Sequence, residues 1–119
     1  EHATRLKKLH LGFREIIEKY KPEKVAIEEL FFFKNLKTAI KVAEARGVIL
    51  MTMIEYNLPI EEYTPLQIKQ ALVGYGRAEK KQIEQMVKII LNLDSVPKPD
   101  DAADAVAVAI TSAHSFKTK

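Results

Sequence analysis

Val25-Ala26-Ile27-Glu28-Glu29-Leu30-Phe31 sets two acids inside an otherwise apolar run. Its length and its Val and Ile content suit a short buried strand. Upstream, Leu6, Leu9, Phe13, Ile16, Ile17 and Tyr20 recur at helical spacing, and Lys21-Pro22-Glu23-Lys24 ends that helix. Downstream, Leu36, Ile40, Ala43, Gly47, Leu50, Met51 and Ile54 mark a long second helix over 36–54, with Asn57 as its stop and Leu58-Pro59 beyond it. A second short strand follows at 60–63. Strand, helix, strand is a βαβ unit, so the two strands should pair in parallel.

Thr64-Pro65-Leu66-Gln67 opens a third helix, with Thr as cap, Pro at the first position and Gln at the third, the capping-box arrangement. Gly74-Tyr75-Gly76 breaks it. Ile83, Met86, Val87, Ile90 and Leu91 mark a fourth helix, and a polar loop over 92–99 leads to a fifth. No repeat or linker interrupts the pattern, which reads as one α/β domain over residues 1–119 with a helical C-terminal half.

The composition narrows the functional classes. With no cysteine there is no disulfide, thiolate metal site or cysteine nucleophile, and the chain suits a reducing cytoplasm. No run of about 20 apolar residues occurs. The opening EHATRLKKLH carries neither an apolar segment nor a cleavage site of a targeting peptide. A net charge of +3 permits an anionic partner without demanding one. His2, His10 and His114 do not cluster at metal-binding spacing, and no phosphate-binding glycine loop, nucleophile elbow or HExxH is present.

Three features carry chemistry. In PKPDDAADAVAVAI (97–110), Asp100 after Pro99 is a good helix cap, and acid in the first turn complements the helix dipole. Capping leaves Asp104 unexplained. Asp101 and Asp104 stand three apart on one helix face, where like charges repel, and carboxylates kept together in this way suit an oxygen-preferring divalent cation. Glu28 is the second feature, an acid near the C-terminal end of an apolar strand, where open α/β sheets present their ligand sites. Exit to solvent is its competing explanation. Together Glu28, Asp101 and Asp104 suit metal-assisted chemistry on phosphates, with two cations about 4 Å apart. The third feature is basic and aromatic. Lys69, Arg77, Lys80 and Lys81 flank the glycine turn, and Lys34, Lys37 and Lys41 follow Phe31-Phe32-Phe33. A solvated charged face explains such a run, and so does contact with phosphates beside stacked bases.

The blocks VAIEELFFFKN, AIKVAEARGVIL, YTPLQIKQALVGYGRAEKKQIEQMVK and PKPDDAADAVAVAIT, in this order and spacing, resemble the RuvC family of bacterial Holliday-junction resolvases. The resemblance implies an RNase H-like mixed sheet flanked by helices. It also implies a homodimer through helix 36–54 and Mg²⁺-dependent cutting of opposed strands at a four-way DNA junction, in DNA recombination and repair. Two Mg²⁺ per site are implied, with Mn²⁺ as a substitute, and the products are a 5′-phosphate and a 3′-hydroxyl. Glu28, Asp101 and Asp104 match three of the family's four acidic positions. Lys69 and Lys80 match its basic residues at the scissile phosphate, and Phe31 matches the aromatic placed against a base. The RuvA and RuvB branch-migration proteins are implied partners, and the cytoplasm the implied location.

One departure bears on activity. No Ile-Asp-Pro-Gly occurs, so the family's first strand and its carboxylate have no counterpart, nor have the next two strands. With Glu1 in place of an initiating Met, the chain reads as N-terminally truncated. A non-catalytic junction-binding module is therefore the alternative expectation. A scaffold with acidic helix caps is a third, which leaves Glu28 and Asp104 without a role.

Overall fold

The structure, a computed structural model, describes residues 1–29, 35–74 and 76–115. The elements in order are α1 (His2–Tyr20), β1 (Val25–Glu28), α2 (Leu36–Glu55), β2 (Ile60–Tyr63), α3 (Pro65–Val73), α4 (Lys80–Ile90) and α5 (Asp100–Ser115). They form two compact units, one drawn from Glu1–Val25 and Phe31–Ile60, the other from Ala26–Leu30 and Glu61–Lys119.

In the first unit α1 packs on α2. α1 ends at Lys21, whose left-handed backbone (φ 48°) returns its N–H to the carbonyl of Ile17 at 2.8 Å. α2 begins where the Asn35 side chain accepts the backbone N–H of Thr38 at 3.1 Å. Ile17, Met53 and Leu58 are buried, and Phe13, Val25, Ile49, Tyr56 and Ile60 pack around them. His2 meets Glu44 at 2.8 Å, His10 meets Thr52 at 2.8 Å, and the Arg14 guanidinium donates to the Tyr56 hydroxyl at 3.2 Å, each pair 42 residues apart. A constant separation means that the helices run parallel, as expected where one precedes and the other follows the same strand. The Thr52 hydroxyl donates to the Val48 carbonyl at 2.7 Å, so it accepts from His10 Nδ1–H, which fixes the imidazole tautomer.

The parallel register of β1 and β2 is as the βαβ pattern requires. Val25 N–H donates to the Pro59 carbonyl at 2.9 Å and Glu29 N–H to the Tyr63 carbonyl at 2.7 Å, so residue numbers advance together along both strands. Among the described residues the sheet has these two strands.

In the second unit α3, α4 and α5 pack on one another. Val87 is fully buried, at the centre of a core with Ile68, Leu72, Ala107, Val108 and Ile110. The small Ala103 and Ala107 face inward on α5, which lets neighbouring backbones approach. Glu61 accepts from the Ser112 hydroxyl at 2.6 Å and from the Tyr63 hydroxyl at 2.8 Å, tying β2 to α5. The capping box read from Thr64 and Gln67 is present in full. Asp100 differs by one position from its expected role: it is the first residue of α5, inside the helix, and not its cap.

Candidate functional site

Four of the six site residues singled out in the sequence line one cavity of about 360 Å³ in the second unit: Glu28, Lys69, Lys80 and Asp104. Each comes from a different element. Glu28 is the last residue of β1, Lys69 lies in α3, Lys80 opens α4, and Asp104 stands in the second turn of α5. Ile68, Ile83, Ala107 and the buried Ala78 form the apolar wall. Asp101 is exposed in the first turn of α5 and is not part of this lining. Phe31 lies outside the described residues.

Local chemistry explains how Lys80 is presented. α3 closes on Gly74, whose φ of 87° is open to glycine at little cost, with its N–H on the Gln70 carbonyl at 3.0 Å. A side chain at Gly76 would overlap Leu66, so glycine there lets the loop lie against α3. The loop then buries Ala78. α4 starts where the Gln82 side chain accepts the Glu79 N–H at 2.7 Å. A lysine at a helix N-terminus faces the positive end of the dipole and needs compensating charge. It finds that charge on α5: Lys80 Nζ lies 3.4 Å from Asp100 Oδ2 and 3.9 Å from Asp104 Oδ2.

The electrostatics of the cavity are those of crowded acid held by lysine. Burial raises the pKa of the Glu28 carboxyl above 4.5 and the charge of Asp104 raises it further, while Lys69 pulls the other way. Asp104 and then Asp100 hold the Lys80 ammonium above its ordinary value. Among the described residues no three His, Asp or Glu side chains form a metal-holding group, so the acids here are a pair and not a triad. A pair still fits Mg²⁺, which keeps several waters and commonly takes one or two protein carboxylates beside substrate phosphates. Two repelling carboxylates opposite lysines able to contact a phosphate match that chemistry.

The raised Glu28 value has a consequence for stability. A carboxyl whose pKa is higher folded than unfolded contributes stability fully below the unfolded value near 4.5, and loses it as pH rises through the folded value. Ionised Glu28 thus destabilises the fold at neutral pH. Glu28→Gln removes that titration, so the variant should gain stability relative to the parent between pH 4 and pH 7, read as urea midpoints in chelator. A difference that stays constant or shrinks over that range would contradict the electrostatic account.

Asp100 is the residue that sequence reasoning undervalued. Helix capping explained it completely, yet its carboxylate is the nearer partner of Lys80. The only sequence signal was the presence of AEK and DDAAD in one chain.

Comparison with known proteins identifies the family. Residues 1–112 match the family model of the crossover junction endodeoxyribonuclease RuvC. The protein of that name from Caldanaerobacter subterraneus subsp. tengcongensis is 56% identical over 115 residues, covering 97% of this chain and 70% of the relative. The one from Halothermothrix orenii is 54% identical over 117 residues, covering 98% and 71%. Among solved structures, Thermus thermophilus RuvC superposes with a TM-score of 0.91 at 38% identity, over 98% of this chain and 70% of that one. The same protein in complex with Holliday junction substrate gives 0.90 at 39% identity, over 95% and 68%. The expected RNase H-like α/β fold is thereby borne out. On the strength of the family match and of these identities over nearly its whole length, the chain belongs to the RuvC family of crossover junction endodeoxyribonucleases.

Proposed function

We propose that residues 1–119 act as one nuclease domain, in the cytoplasm, that resolves four-way DNA junctions by Mg²⁺-dependent phosphodiester hydrolysis, with Mn²⁺ able to substitute. The observation that carries this reading is the convergence of Glu28, Asp104, Lys69 and Lys80, from four separate elements, on one cavity. Glu28 and Asp104 are the cation ligands, and Asp101, exposed one turn earlier and outside the cavity lining, is proposed as a further ligand only on its match to the family's acidic positions. A cation there supplies Lewis-acid stabilisation of charge developing on the phosphate. Lys69 and Lys80 bind phosphate oxygens and orient the scissile bond. Glu28 Oε holds a proton more tightly than an ordinary carboxylate, so the site is weakest for cations in acid. Phe31 is proposed to stack on a base at the junction centre.

A second copy of the chain is the proposed partner of α2. Leu36, Ile40, Met51 and Ile54 are 77%, 51%, 63% and 58% exposed along that helix, a concentration of bare apolar surface on one element. A two-fold dimer presents two cavities to a junction whose strands are themselves related by symmetry. The RuvA and RuvB proteins are proposed to deliver the junction. No helix of the described residues is long and apolar enough to cross a membrane.

The phosphate role of the lysines is tested by salt dependence. Each phosphate contact contributes about 0.9 to the slope of log K against log salt. Lys69→Ala should weaken junction binding and flatten that slope by about 0.9. An unchanged slope would place Lys69 away from DNA. A non-catalytic module would show the same slope but no cutting at any Mg²⁺ concentration.

A further inference from the structure

We propose that Lys80 is a built-in competitor of the divalent cation, its ammonium occupying Asp104 as counter-ion so that the site takes up cations less tightly than its carboxylates alone would allow. The inference rests on the reading of Glu28 and Asp104 as cation ligands and assigns to a residue of that site a regulatory role beyond phosphate contact.

The geometry makes the competition direct. Lys80 Nζ lies 3.9 Å from Asp104 Oδ2 and 3.4 Å from Asp100 Oδ2, so one ammonium serves two carboxylates separated by one helical turn. Asp100 anchors the lysine within reach of Asp104. The positive helix dipole at the start of α4 opposes the ammonium, and Glu84 on that helix adds only a lesser attraction. A cation and an ammonium cannot both neutralise the same Asp104 oxygen at full strength, so whatever draws Lys80 away frees a ligand. A DNA phosphate is such an agent, because it offers the lysine a further anion in the same cavity. Binding of DNA and of cation then reinforce one another, and any such coupling is reciprocal.

The test is Mn²⁺ binding to the DNA-free protein, read from the free-ion electron paramagnetic resonance signal at low ionic strength. Parent, Lys80→Met, Lys80→Arg and Asp104→Asn are compared. Methionine keeps the apolar stem and removes the charge at a position that is half exposed, and circular dichroism verifies the fold of each variant. We expect Lys80→Met to bind Mn²⁺ about fivefold more tightly than the parent, and Lys80→Arg, which retains a cation, to bind like the parent. Added salt should narrow the gap between parent and Lys80→Met, since it screens the exposed ion pair. If Lys80→Met binds Mn²⁺ no better than the parent while Asp104→Asn binds it worse, the competitor role is overturned and the ligand reading stands. If Asp104→Asn binds Mn²⁺ like the parent, the ligand reading itself fails, and the competitor role with it.

Discussion

Asp104→Asn is expected to lower Mg²⁺-dependent cutting of a four-way junction by about 10³-fold or more, with junction affinity within about threefold of the parent. The two activities separate because they depend on opposite charges. In the proposed mechanism cutting depends on a carboxylate that an amide cannot replace as a cation ligand. Binding depends, on the same proposal, on Lys69 and Lys80, which the substitution leaves in place. Asp104 is half-buried on α5, while the inward positions of that helix are taken by Ala103, Ala107 and Val108, so Asn introduces no void and no clash in the core. Glu28→Gln should behave in the same way toward DNA, with the added stability at neutral pH derived above. Gel-shift titration beside a single-turnover cleavage assay reads both quantities. Near-parental cutting by either variant would remove that residue from the metal site, whereas a joint loss of cutting and binding would point to misfolding.

If α2 carries the proposed two-fold interface, Met51→Asp combined with Ile54→Asp is expected to shift the protein from dimer to monomer, with a dissociation constant about 100-fold higher. Both side chains are already more than half exposed, at 63% and 58%, so the charges meet water in the monomer and cost its fold little. Buried in a dimer face they would stand desolvated and unpaired, which is costly. Sedimentation velocity checks the association state. The functional counterpart is loss of paired incision: a monomer would leave singly nicked junctions where a dimer cuts both strands. An unchanged sedimentation coefficient would show that α2 does not carry the interface.

Local chemistry was the most legible part of the sequence. Thr64, Pro65 and Gln67 announced their helix because each has a defined task within the first turn, and none depends on distant parts of the chain. The parallel pairing of β1 and β2 followed from connectivity, since a helix between two short strands admits little else. Glu28 and Asp104 stood out because each broke a local rule, acid in an apolar strand, which the structure leaves only partly buried, and acid beyond the capping turn. Pairing across elements is not legible in the sequence. Nothing in the spacing of Lys80 and Asp100 reveals that they meet at 3.4 Å, because that contact depends on how α4 packs on α5. The link of His10 to Thr52 was hidden for the same reason, since it needs the register between α1 and α2. The start of α5 shows the limit of propensity reasoning: Asp after Pro is a preferred cap, yet Asp100 enters the helix and spends its charge on a lysine.

Under the proposed function Glu28 and Asp104 hold the catalytic cation. This assignment is tested most directly by an anomalous difference map from crystals of the protein grown with Mn²⁺. A peak in the cavity lined by Glu28 and Asp104 is expected, with no such peak from Asp104→Asn crystals. Mn²⁺ bound elsewhere with the Glu28–Asp104 cavity free of anomalous density, in protein that still cuts four-way junctions, would contradict it.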